Sequence, residues 1–181
     1  MSIIDTQAES ALEAPGTARP LDHRLVARAL HWLTAALIGC MVASGVVMTQ
    51  LGGGSVADTL MSAHKLCGFV ILMLLLARLA YRIIPRAGAL WRQRSSTARF
   101  AHLLLYAVAI LTCLLGLAGA SDFGAREALF GVVLPQIWPE GFGWADALFT
   151  THAFFAFALL TLVCIHVGFA LQDYIGRGQR D

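Results

Sequence analysis

Residues 150–172 read TTHAFFAFALLTLVCIHVGFALQ, an apolar stretch long enough to cross a bilayer as one helix and carrying two histidines, His152 and His166. They stand fourteen residues apart, roughly 21 Å along a helix at about 1.5 Å per residue. Fourteen steps of about 100° come to about four turns less 40°, so both rings leave the helix from nearly the same face. One helix therefore offers an imidazole near each membrane surface, aimed into whatever packs against it. A histidine inside a membrane span is expensive and by default marks a functional site.

Composition agrees with a membrane protein. Mean hydropathy is +0.71, with 58% hydrophobic and only 13% charged residues, below the charge content of soluble domains. At 181 residues the chain holds one domain, and a formal charge of +2 carries less information than where the charges lie. Cys40, Cys67, Cys113 and Cys164 each stand alone in a separate apolar stretch. With no CxxC and no CxxCH, the pattern argues against zinc, an iron–sulfur cluster and covalently attached haem, and the thiols read as small packing residues. Residues 1–22 are polar and acidic, with Pro15 and Pro20 and no basic start before an apolar core, so they are expected to be a disordered cytoplasmic tail rather than a secretory signal. Nothing points to nucleic acid as a partner; membrane lipid is the expected surroundings.

Four spans are expected, at about Ala29–Met48, Met61–Ile84, Phe100–Ala120 and Ala147–Leu171. The first connection is a short Gly-rich turn, QLGGGSVADT. The second is flanked and filled by Arg78, Arg82, Arg86, Arg92, Arg94 and Arg99 with no acid among them. The third, about residues 121–146, carries Asp122, Arg126, Glu127, Glu140 and Asp146. Arg24 and Arg28, the arginine-rich connection, and Arg177 with Arg180 must share one side of the membrane. The positive-inside rule makes that side the cytoplasm. The expected architecture is an all-α integral membrane four-helix bundle with both termini cytoplasmic, multi-pass in a bacterial inner membrane. Within the outer connection, FGVVLPQIW is too short to span and broken by Pro135, so it is expected to cap the bundle at the interface, with Trp138 and Trp144 as anchors.

Depth then sorts the histidines. His31 lies at the cytoplasmic start of the first span, level with His166 near the cytoplasmic end of the fourth. His64 lies at the outer start of the second, level with His152. Two pairs result, His31 with His166 and His64 with His152, and each supplies an imidazole for either side of a haem iron. His102, at the cytoplasmic start of the third span, is level with His31, so depth alone allows it to take that place. His23 precedes the first span and reads as a solvated or headgroup residue. Taken singly, each of these rings also reads as an interfacial histidine bonded to backbone or headgroup; matched depths favour ligation.

ARALHWLTAALI (27–38), AHKLCGFVILMLLLARLAYR (63–82), AHLLLYAVAILTCLLGLAG (101–119) and the H-x13-H of the fourth span together resemble the bacterial cytochrome b561 family. The resemblance covers about residues 24–174. It implies a four-helix di-haem cytochrome b domain over residues 23–176, followed by a cytoplasmic tail at 177–181. It also implies two b-type haems, one held by His31 and His166 and the other by His64 and His152, with His102 not a ligand. Members of the family act as superoxide oxidases, passing electrons from superoxide at the outer face to ubiquinone. Related di-haem cytochromes serve as quinone-reducing subunits of hydrogenases and formate dehydrogenases. Where the superoxide-oxidising members carry a further histidine beyond the fourth-helix pair, this chain reads ALQDYIGRG, with Asp173.

Haem propionates need cationic partners or water. Arg28, Arg78 and Arg82 are the candidates for the inner haem, Lys65 and Arg126 for the outer one, although the arginines also read simply as topological signals. Lys65, beside His64, is placed to attract superoxide. His102, Trp91 and Tyr106 are candidates for a quinone site, where His102 could bond a carbonyl and supply a proton. Three functions stay open: a superoxide:ubiquinone oxidoreductase, an electron-transfer subunit that receives electrons from a docked redox partner such as a dehydrogenase, and a haem-free anchor or small transporter. The orientation is checked by reporter fusions. One after Arg94 should report from the cytoplasm and one near Gly53 from the periplasm, and the reverse result would exchange inner and outer ends.

Overall fold

In lipid every backbone N–H and C=O must be satisfied internally, which a helix does within its own length. The computed structural model describes residues 23–83 and 96–178, and these are helical wherever the sequence is apolar over a long run. The helices are α1 (His23–Leu51), α2 (Ser55–Ile83), α3 (Ser96–Asp122) and α4 (Ala145–Gly178), with a 3-10 turn at Leu129–Gly131. All four are long and apolar enough to cross a membrane. The 1–22 tail, Arg86, Trp91, Arg92, Arg94 and Arg180 lie outside the described residues.

α1 stops where Gly52 takes a φ of +71°, the left-handed conformation that ends helices, and the chain turns directly into α2. Successive helices are neighbours. α1 packs on α2, α2 on α3, and α3 most extensively on α4, whereas α1 and α4 touch only slightly. The bundle is thus a ring with one loose wall. His31 near the start of α1 approaches His166 near the end of α4, so both described chain ends lie at one end of the bundle, the terminal end. The Gly-rich turn and the 123–144 connection lie at the other, the loop end.

α3 and α4 approach closely because α3 offers glycines. A Cβ on Gly119 would stand 2.7 Å from the Phe149 ring, and one on Gly116 would stand 3.0 Å from the His152 ring. Midway along the bundle Ile71, Leu75, Tyr106, Ala109 and Leu159 form an apolar cluster, and a second cluster of Leu117, Ala128 and Leu134 packs with Leu66 and Phe69 at the loop end. Phe154, Phe157 and Phe169 point out of the bundle, toward what would be lipid.

The loop end is closed by a buried carboxylate. Asp122, at the end of α3 and only 4% exposed, accepts hydrogen bonds from the N–H groups of Phe142 (2.7 Å) and Gly143 (3.2 Å) through Oδ1 and of Trp144 (2.6 Å) through Oδ2. Its own backbone carbonyl accepts from Gly141. These N–H groups lead into the N-terminus of α4, where partial positive charge favours an anion. Asp122 therefore fixes where α4, with both its histidines, begins relative to α3. Asp122→Ala should cost about 2–4 kcal/mol, the cost of leaving buried donors without a charged acceptor. Thermal unfolding in detergent should show this as a lowered midpoint, while Asp58→Ala, at an exposed position of α2, should leave the midpoint nearly unchanged.

Candidate functional site

The histidines meet in two places. At the terminal end the ring centroids of His31 and His166 are 6.5 Å apart, with planes at 72°. At the loop end those of His64 and His152 are 6.1 Å apart, with planes at 79°. His102 reaches the terminal end from α3, with its centroid 5.2 Å from that of His166 and planes at 80°. Two imidazole nitrogens each about 2.0 Å from a shared metal place their ring centroids roughly 6 Å apart. His31–His166 and His64–His152 have that spacing, whereas His102 and His166 are in closer edge-to-face contact.

Among the described residues no three His, Cys, Asp or Glu side chains are grouped to hold a metal ion. Two imidazoles are too few for a structural zinc ion. They suffice as the axial ligands of a haem iron, whose remaining nitrogens belong to the macrocycle.

Hydrogen bonding at the loop end engages Nδ1 of both rings. Ser44 Oγ donates its one proton to the Met41 carbonyl at 2.9 Å and lies 3.0 Å from His64 Nδ1. With that proton engaged, the hydroxyl accepts, so the His64 proton sits on Nδ1 and the Nε2 lone pair is left for a metal. His152 Nδ1 lies 2.8 Å from the Thr112 carbonyl, an acceptor only, so it too carries its proton on Nδ1. Gly116, one turn after Thr112, is what lets the His152 ring lie against α3.

The terminal end is arranged differently. Arg78 Nη2 lies 3.2 Å from His31 Nδ1, and Nη1 donates to the Leu30 carbonyl at 3.4 Å. A guanidinium only donates, so His31 Nδ1 accepts here and its proton belongs on Nε2. The same guanidinium lies 5.8 Å from the centroid of the Tyr106 ring, itself buried. Arg78, half-buried, thus lies beside both His31 and Tyr106.

The other candidates are placed as follows. Arg28 is exposed on α1. Arg82 lies on α2 one turn beyond Arg78, but its side chain is outside the described residues, as is all of Trp91. The Lys65 ammonium donates to the carbonyls of Ala125 (2.9 Å) and Glu127, and Arg126 donates to the Leu134 carbonyl at 3.2 Å. Both cations tie down the 123–144 connection above the loop-end pair. Ser44, the Thr112 carbonyl, Gly116 and Asp122 were missed as site residues. A lone hydroxyl in the apolar run around Ser44 was a visible signal; the carbonyl and the glycine contact gave none.

Residues 22–177 match the family described as prokaryotic cytochrome b561. The chain is also 28% identical over 167 residues to cytochrome b561 homolog 2 of Escherichia coli (strain K12), a match covering 87% of each chain. Paired imidazoles at two levels of a four-helix membrane bundle are the donor set that b-type haem requires. The chain belongs to the prokaryotic cytochrome b561 family and is a multi-pass bacterial membrane b-type cytochrome of electron transfer.

Proposed function

We propose that this protein is a di-haem cytochrome that carries electrons from superoxide at the periplasmic face to ubiquinone at the cytoplasmic face of the inner membrane. The observation that carries the reading is the pair of histidine pairs, one at each end of the bundle and joined by α4. His31 with His166, and His64 with His152, would hold the two irons. Bound b-type haem would supply one-electron chemistry, and an imidazole from each of two histidines would leave no open site for O₂. Two superoxide ions each give up one electron and leave as O₂, and one ubiquinone takes those two electrons together with two protons from the cytoplasmic side.

The chain's own residues orient, partner and screen. Ser44 and the Thr112 carbonyl hold His64 and His152 with Nε2 forward. His31 meets the same requirement only with its proton on Nδ1, which needs Arg78 to turn to another acceptor, and a propionate is the acceptor a guanidinium suits best. Leu159, seven residues from each α4 histidine, and the cluster around it keep water from between the two levels. Lys65 and Arg126 keep positive charge at the loop end while tying down the connection, and that charge favours approach of an anion such as superoxide. His102, edge-on to His166, and Tyr106, below Arg78, form the candidate quinone contact at the terminal end.

A second reading, an electron-transfer subunit docked by a dehydrogenase, draws on Phe130. Its ring is 87% exposed at the tip of the connection, on a backbone with a φ of +62°. A surface aromatic held at such a φ fits a contact with another protein. The purified protein separates the two. Superoxide alone should reduce its haem and, with ubiquinone present, yield ubiquinol; an inert protein that responds only to a dehydrogenase would favour the second.

Ligation is checked by haem content and the reduced-minus-oxidised spectrum. His152→Ala and His166→Ala should each lose one of two haems and keep the other, and retention of both by either variant would refute the assignment. His102→Ala should keep both, and loss of one would pass the ligand role from His31 to His102. Gly116→Val, which pushes a side chain into the His152 ring, should lower haem occupancy at the loop end by severalfold, whereas Gly39→Val, with open space around it, should not.

A further inference from the structure

We propose that Ser44 is a positioning residue that tunes the loop-end haem, a role that rests on the reading of His64 and His152 as its ligands. The argument begins with one proton. A serine hydroxyl has one hydrogen to give, and in Ser44 it goes to the Met41 carbonyl at 2.9 Å, three residues back in the same helix. The oxygen is then an acceptor, and it faces His64 Nδ1 at 3.0 Å. Ser44 and His64 lie on different helices, α1 and α2, so the contact fixes the ring from outside its own backbone. The connecting turn is short, and Gly45, beside Ser44, faces the same ring: a Cβ there would meet His64 Cε1 at 3.6 Å, an ordinary contact.

Two consequences follow for a metal bound at Nε2. The ring cannot rotate without breaking the Nδ1–H···Oγ bond, so the lone pair stays aimed into the bundle. Donation from Nδ1–H also increases electron density on the imidazole and makes it a stronger donor to iron, which favours the oxidised metal. The second loop-end ligand acts in the same sense, because His152 donates to the Thr112 carbonyl. That acceptor is main chain and cannot be removed by substitution. Ser44 is the side chain through which the loop-end ligand field can be altered. At the terminal end a cationic donor, Arg78, lies beside His31 instead.

The test is a redox titration of the haem-loaded protein that resolves the two haems, run on the parent, Ser44→Ala, Ser44→Thr and Thr49→Ala. Ser44→Ala should raise the reduced-to-oxidised ratio of the loop-end haem at fixed ambient potential by roughly threefold to tenfold, the factor one net hydrogen bond carries. The terminal-end haem should not move. Ser44→Thr keeps a hydroxyl that bonds the preceding turn and should restore the parent ratio. Thr49→Ala removes an exposed hydroxyl bonded to the Val46 carbonyl of the same helix and should leave both haems unchanged. An unchanged loop-end haem in Ser44→Ala, or an equal shift in Thr49→Ala, overturns the proposal. If Ser44→Ala loses the loop-end haem altogether, its retention in Ser44→Thr supports the proposal and its loss there overturns it. Retention of that haem by His64→Ala would overturn the reading on which the proposal rests, and this is seen in the haem count before any potential is measured.

Discussion

An imidazole carried into a bilayer must have its polar ring nitrogens partnered, and the rest of this bundle follows from how that requirement is met. α4 carries two such rings seven residues either side of Leu159, all on one inward stripe. Each ring draws a different set of neighbours. His152 needs a carbonyl from α3, which it reaches only because Gly116 has no side chain, and a facing imidazole from α2. His166 faces α1 and α3 at once, through His31 and His102. The helix with two histidines therefore packs mainly on α3 and meets α1 and α2 chiefly through its histidine rings.

The two ends satisfy the requirement with opposite electrostatics. At the loop end the groups around the ring nitrogens are acceptors, a hydroxyl oxygen and a backbone carbonyl, and the histidines donate to them. At the terminal end the partner is a guanidinium, which can only donate. The first arrangement is complete within the protein. The second includes a cation beside the paired rings. A cofactor with anionic side groups suits the second end for a reason that does not apply at the first.

The 123–144 connection serves the same end as the helices. Asp122 gathers the N–H groups ahead of α4, Lys65 reaches across from α2 to two of its carbonyls, and Leu134 fills the cluster above Leu117. Lys65 is thus more than a charge beside a ligand. Its stem and ammonium lock the connection to the turn of helix that carries His64. A substitution there acts on structure as well as on local potential, and kinetic effects at Lys65 have to be separated from movement of the connection. Ser44 offers the cleaner handle, since its hydroxyl meets one carbonyl and one ring.

Periodicity and hydropathy alone determined the number of helices, their alternating direction through the bundle, and the level of His31, His64, His102, His152 and His166 along it. These properties depend on helical rise, angular step and bilayer thickness, which are the same for any chain. Depth could bring His31, His102 and His166 to one level but could not order them, because level is a one-dimensional coordinate. Tertiary structure supplied the lateral one: 6.5 Å to His31 and 5.2 Å to His102, with Arg78 beside His31. It also decided the roles of Ser44, Asp122 and Gly116. Their contacts reach 20, 20 to 22 and 36 residues along the chain, and a short polar or absent side chain acquires its meaning only from the helix that packs against it.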